Sequence, residues 1–307
     1  MTGSDSSFFP RAWRFLYKPW SEKRKAFYIR WTKAFPNTPA PLRLSFGAWW
    51  LVRNDNIDLP ISEGNFENAE IAFVSRFLKP GMTVLDIGAH HGLYALLASK
   101  CVRPGGKVFA FEPSPRERKT LLGHVKINRC KNVTVEGLAV GSEEKDTSLF
   151  VVQGSNTGCN SLRAPAADVA GALLPTPVRV VRLDDWLERR GVGHIDFIKL
   201  DVEGGEIEVL KGAERLLLRS PRPVILAEVQ DIRTQQWGYP AKEIITSLQQ
   251  KDYQWFRISD DGSLEALDTT ANSFEGNYVA LPQESASTSN LFYRGTPEPA
   301  HDDSSTS

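Results

Sequence analysis

From about residue 66 onward, short apolar runs alternate with stretches in which apolar residues recur every three or four positions. The first pattern predicts buried strands and the second predicts helices, and their regular alternation predicts a parallel sheet. Ile71, Val74, Phe77 and Leu78 sit at helical spacing, and Lys79-Pro80-Gly81 closes that helix. A first strand over 83–86 leads to a helix over about 92–100. A second strand over 107–111 leads to a helix over about 115–128, and a third runs from 133 to about 138. The fourth, 196–200, precedes a helix over about 206–218, and the fifth covers 223–229. A helix over 241–251 and two closing strands, 255–258 and 278–281, complete the series. Residues 142–183 break the rhythm: two β-like runs, 147–152 and 178–182, enclose a polar loop (154–161) and an Ala/Pro-rich stretch (164–177). Such an insertion lies beside the ligand face, where folds of this kind gain specificity.

The ends of the chain have a different texture. Between Phe8 and Phe35, the aromatics Trp13, Phe15, Tyr17, Trp20, Phe27, Tyr28 and Trp31 alternate with Arg11, Arg14, Lys18, Lys23, Arg24, Lys25, Arg30 and Lys33. That interleaving suits an anionic membrane surface or a nucleic acid. It equally suits a helical cap that packs its rings inward and solvates its charges. Pro36, Pro39 and Pro41 then mark a linker. After about residue 283 the chain is rich in Ser, Thr, Asp and Pro and reads as a disordered tail.

Composition narrows the class. The 307 residues carry 37 basic and 37 acidic side chains, a balance that disfavours a general nucleic-acid binder. The three cysteines, Cys101, Cys130 and Cys159, fit neither a disulfide framework nor a zinc spacing, so no metal centre of His and Cys is expected. Neither a bilayer-spanning run nor a signal-peptide core is visible, and the expected location is the cytoplasm, with membrane association through residues 8–35 left open.

The candidate chemistry sits at the strand ends. Val84-Leu85-Asp86-Ile87-Gly88-Ala89-His90-His91-Gly92 reads as a buried strand, a tight glycine turn and a helix start. Open α/β sheets bind ligands there, and glycine lets a ligand approach the backbone. The spacing D-x-G-x-x-x-G departs from the dinucleotide fingerprint G-x-G-x-x-G, and Asp86 would repel a pyrophosphate. It suits a cationic ligand such as S-adenosylmethionine. Glu112, closing the second strand, is placed to accept hydrogen bonds from both ribose hydroxyls. Leu138 and Ala139, after the third strand, are the expected adenine contacts.

The fourth strand ends Lys199-Leu200-Asp201-Val202-Glu203-Gly204-Gly205-Glu206. Asp201 is the leading catalytic candidate, orienting a hydroxyl or taking its proton, and with Glu203 it could hold a divalent cation. Glu206 reads as an acid favouring the positive end of the next helix. Inside the glycine turn, His91 is a second catalytic candidate and His90 a cofactor contact, though either could instead bond the loop backbone.

Together these residues resemble the FkbM family of S-adenosylmethionine-dependent methyltransferases. The matching stretches are 84–92, Phe111-Glu112-Pro113, Gly158-Cys159-Asn160-Ser161-Leu162, Leu183-Asp184-Asp185 and 195–210, over about residues 64 to 282. Where the family more often has Asn-Ile-Gly, this chain has His90-His91-Gly92. The resemblance implies an α/β class I methyltransferase (Rossmann-like) fold: a doubly wound, mostly parallel seven-stranded sheet with its last strand antiparallel. An N-terminal helical extension and a β-rich insertion are added to it. It also implies methyl transfer to a hydroxyl of a sugar, glycan or other small natural product. Residues 1–63 are then an extension and linker, 64–282 the methyltransferase domain and 283–307 the tail. Asp86, Gly88, His90, Gly92, Glu112, Leu138 and Ala139 are the expected cofactor contacts, with Asp201 and His91 catalytic. Two readings compete: an NAD-dependent oxidoreductase, and a non-catalytic membrane or nucleic-acid adaptor on the same scaffold.

Overall fold

A computed structural model describes residues 20–165 and 171–285. Residues 8–19 of the basic segment, 166–170 of the Ala/Pro-rich stretch and 286–307 of the expected tail lie outside the described residues.

The central sheet forms because its strands bury both faces. Leu85 and Ile87 join one hydrophobic cluster, with Ile198, Leu200, Ile225 and Ala227, while Val84, Phe197, Val224 and Leu226 join the other. Successive residues thus point to opposite faces and both faces are apolar, the pattern of a sheet covered by helices on both sides. The parallel strands are β3 (Thr83–Ile87), β4 (Lys107–Phe111), β5 (Val133–Glu136), β9 (Phe197–Leu200) and β10 (Val224–Gln230). β13 (Glu275–Pro282) is inserted antiparallel between β10 and β11 (Tyr253–Ile258). The order is β12-β11-β13-β10-β9-β3-β4-β5. Seven of these are the expected strands, with the last in sequence antiparallel. The eighth, β12 (Leu264–Ala266), is a three-residue addition at the edge. It exists because the chain folds back at Gly262, where Ser259 N–H donates to Ser263 O at 2.9 Å, and because Leu264 is fully buried.

Covering helices include α3 (Asn68–Phe77), α4 (Leu93–Cys101), α5 (Pro115–Ile127), α6 (Leu183–Arg190) and α9 (Lys242–Gln249). The helix expected over 206–218 is two, α7 (Glu206–Gly212) and α8 (Glu214–Leu218), broken at Ala213. The third strand stops at Glu136, two residues early. Ala139–Val140 (β6) crosses to a separate three-stranded sheet with β7 (Lys145–Val152) and β8 (Leu173–Val181), order β6-β8-β7. This is the inserted β-rich element.

The linker expected after the N-terminal helix is instead folded. α1 (Trp20–Ala34) leads into a hairpin of β1 (Ala40–Arg43) and β2 (Trp49–Val52), then α2 (Asp58–Glu63). The prolines do not prevent this, because a two-stranded hairpin has only edge strands and Pro41 need not donate inward. Period-2 alternation buries Ala40, Leu42, Trp50 and Val52. They share a hydrophobic cluster with Tyr28, Ile61, Leu93 and Leu96, so the segment packs against the helix that follows the glycine turn.

Candidate active site

The glycine turn hangs from the end of β4: the N–H groups of Gly88 and Ala89 both donate to Phe111 O, at 3.0 and 2.9 Å. At Gly88 (φ +87°) an added Cβ would lie 1.6 Å from the carbonyl oxygen of Asp201. Only glycine lets the ends of β3 and β9 come this close. At Gly92 (φ +90°) the same atom would lie 2.2 Å from a Leu121 methyl, so this glycine serves close packing on α5.

His90, also left-handed at φ 47°, donates its N–H to Glu112 Oε2 at 2.8 Å and sets its ring Nε2 3.1 Å from Thr157 Oγ1. Burial pushes its pKa down to about 4, so the ring is neutral at pH 7. Glu112 Oε1 accepts from Ser114 N–H at 2.8 Å. Each carboxyl oxygen thus holds one backbone donor and keeps a lone pair for a second. Burial raises the Glu112 pKa to about 8.

Asp86 is buried, and its Oδ2 has no hydrogen-bond partner. Burial raises its pKa to about 7, opposed by the Lys199 ammonium and reinforced by Asp201. A shielded, unpartnered carboxyl oxygen is costly unless a ligand pairs with it.

Lys199 is the hub of the polar floor. Its Nζ donates to Asp201 Oδ2 at 3.0 Å and Asn277 Oδ1 at 3.1 Å, and lies 5.3 Å from the centre of the Tyr94 ring. Burial works against its charge, but the carboxylates of Asp201, Glu67 and Glu228 outweigh it and hold its pKa above the ordinary lysine value. Oxygens of Asp201, Glu203 and Glu228 all lie within 4.8 Å of one another, a set that could receive a cation. Glu203 Oε2 pairs with Arg233 Nε at 2.9 Å. Glu206 accepts from the N–H groups of Val202 (3.1 Å) and Gly204 (3.2 Å), so it braces this turn as well as heading α7.

One cavity of about 280 Å³ gathers Gly88, His90, Glu112, Leu138, Ala139 and Asp201. The inserted loop closes over it: Ser161 Oγ donates to Glu203 O at 2.8 Å. Asp86, His91 and Gly92 do not line this cavity. They border an adjoining space of about 70 Å³, which Gly88, His90 and Asp201 also reach.

His91 is buried with Asp55 Oδ2 3.7 Å from its Nδ1 and the Trp50 ring centre 6.3 Å away. Burial, then the nearby His90 and His124, hold its pKa well below the usual value. Its carbonyl accepts from His124 Nδ1 at 2.8 Å, and His124 Nε2 accepts from Leu51 N–H at 3.0 Å. These partners assign His124 one neutral tautomer, protonated at Nδ1.

Sequence reasoning missed Lys199 as a site residue, along with Glu228, Glu67 and Thr157. A lone lysine inside Phe197-Ile198-Lys199-Leu200 and an acid inside the apolar fifth strand were visible signals. Glu67 and Thr157 carried none, because they are brought in by segments outside the sheet.

The family described as the methyltransferase FkbM domain matches residues 86–255. The chain is 30% identical to a 31-O-demethyl-FK506 methyltransferase of Streptomyces tacrolimicus over 181 residues, 50% of this chain and 68% of that protein. It is 26% identical to a 2-O-methyltransferase, NoeI, of Sinorhizobium fredii over 189 residues, 57% of this chain and 74% of that protein. A solved methyltransferase FkbM structure from Methylobacillus flagellatus aligns with TM-score 0.42 and 16% identity, covering 75% of this chain and 56% of that one.

Proposed function

The chain belongs to the FkbM methyltransferase family, and from that premise we propose that it moves a methyl group from S-adenosylmethionine to a hydroxyl oxygen of a sugar, glycan or other small natural product. The observation that supports this most is the convergence of Gly88, Glu112, Leu138, Ala139 and Asp201 on one cavity. Two relatives whose names specify O-methylation support oxygen as the acceptor atom. Membership of a methyltransferase family weighs against the dehydrogenase alternative.

The residues present fit the cofactor. Glu112, ionised when the site fills, would offer two lone pairs to the ribose hydroxyls, and Leu138 and Ala139 would offer an apolar seat for the adenine. Asp86, with its orphaned Oδ2, would hold the methionine ammonium beside Gly88, His90 and Gly92. When bound, the cofactor supplies an electrophilic methyl on a sulfonium. Asp201 then orients the acceptor hydroxyl and takes its proton. Lys199 engages Oδ2 of Asp201 and so leaves Oδ1 to do this. Much of the rate comes from holding the two reactants in line. His91 borders only the smaller space and braces the turn in this reading, while Asp201 carries the chemistry.

A methyl-transfer screen against glycans and hydroxylated small molecules, run with Asp201→Asn beside the native protein, tests the reading. Turnover is expected to drop by about 100-fold or more, with cofactor affinity by calorimetry changed by less than about threefold. Full turnover in the variant refutes Asp201 as the base, and binding of NAD without S-adenosylmethionine refutes the cofactor.

A further inference from the structure

We propose that the outer aromatic face of α1 docks on an anionic lipid surface. The inference does not depend on which acceptor is methylated.

α1 buries one side and exposes another. Tyr28 and Thr32 are buried, and the Tyr28 hydroxyl donates to Pro41 O at 2.9 Å, so this side holds the helix to the hairpin. One position earlier in each turn stand Phe27 and Trp31, followed by Phe35. Their rings touch in series, 5.9 Å from Phe27 to Trp31 and 5.0 Å from Trp31 to Phe35. Phe27 and Phe35 are each 53% exposed. Trp49 of the hairpin is 44% exposed beneath the Arg43 guanidinium, 5.1 Å from its ring centre. Trp31 between Phe27 and Phe35 is half-buried and donates its indole N–H to Thr38 O at 2.8 Å. It anchors a ridge whose two outer rings stand free of the fold, and exposed aromatics of this size mark a surface meant to be covered.

Charge identifies what covers it. Between residues 8 and 35 the chain has eight Lys and Arg and a single acid, Glu22. Arg30 and Lys33, on the same helix as the ridge, are exposed. Exposed cations on the helix that carries the aromatic ridge fit a headgroup layer, where rings sit at the interface and basic side chains meet phosphates. A nucleic acid would instead stack its bases on separate rings. Here the three rings already contact one another, which leaves no slot for a base between them. The contact is peripheral: among the described residues no helix is long and apolar enough to cross a membrane.

The test is flotation of the full chain with vesicles of phosphatidylcholine containing phosphatidylglycerol, against pure phosphatidylcholine, at low and high salt. Flotation with the anionic vesicles alone, lost at high salt, is expected. Phe27→Glu with Phe35→Glu should weaken binding by about tenfold or more at unchanged Tm, and Lys33→Glu should weaken it less, with a smaller salt dependence. Absence of flotation, or flotation that ignores all three substitutions, overturns the proposal. So does retention of a labelled oligonucleotide through these residues without flotation, which would assign the face to nucleic acid.

Discussion

Replacing Gly88 by alanine tests the tightest glycine contact among the described residues. The new Cβ would begin 1.6 Å from Asp201 O, and ordinary contact starts at 3.4 Å, so the ends of β3 and β9 must separate by 1.8 Å. That opening breaks the bond from Asp201 N–H to Ile87 O, now 3.0 Å, for about 1 kcal/mol. Holding alanine at φ +87° adds roughly 1–2 kcal/mol. Loosening the buried contacts of Ile87 and Leu200 brings the total to about 3–5 kcal/mol. At about 2–4 °C per kcal/mol, Tm should fall by roughly 6–20 °C. Calorimetric melting of the native protein and the variant reads this directly, with Gly123→Ala as the counter-case. Gly123 lies within α5 and nothing stands within 4 Å of its added Cβ, so that change should stabilise by about 0.5–1 kcal/mol. A Gly88→Ala protein melting within about 2 °C of native would mean that the two strand ends move apart freely, and the reasoning would fail.

Other expectations rest on charge and burial. The folded-state pKa values of Asp86 and Glu206 (about 7) and Glu112 (about 8) lie above the unfolded values near 4, so their stabilisation is complete at low pH and is lost as pH rises through 7 and 8. His90 and His124, lowered to about 4, act in the opposite sense, but only below about pH 6.5. Ligand-free Tm should therefore decline from about pH 6.5 to 8.5, and a flat or rising profile would contradict the assigned burial. Filling the site with a cationic ligand at pH 7 should release protons from Asp86, read by calorimetry in buffers of different ionisation enthalpy. His91→Leu removes a buried nitrogen that has no hydrogen-bond partner and should leave turnover within about threefold of native; a 100-fold loss would restore His91 as the base.

The parallel sheet was readable because its strands are apolar on both faces and three of them finish at or beside an acid: Asp86, Glu112 and Asp201. Those three acids all border the candidate site, Glu112 and Asp201 in the larger space and Asp86 in the smaller. What could not be read depended on the third dimension. The folded hairpin at 40–52 was hidden by three prolines that suggest a linker when edge pairing is not considered. His91 looked like a base because it stands in the glycine turn, yet the fold turns its ring toward Trp50 and Asp55. Lys199 reads as an anomaly in the sequence, and only the arrival of Asn277 and Glu67 from distant segments makes it a hub.

The run of bonds from Leu51 N–H through the His124 ring to the His91 carbonyl has a consequence for where this enzyme begins. The stretch that matches the family model starts at Asp86, but the glycine turn that follows this residue is tethered to a strand more than thirty positions upstream. A polypeptide cut to the shared stretch would expose Leu93, Leu96 and the buried His124, and would leave the ligand loop without one of its supports. The span matched by the family model and the span that folds together therefore have different borders in this chain, because the hairpin at 40–52 packs on the helix that follows the glycine turn.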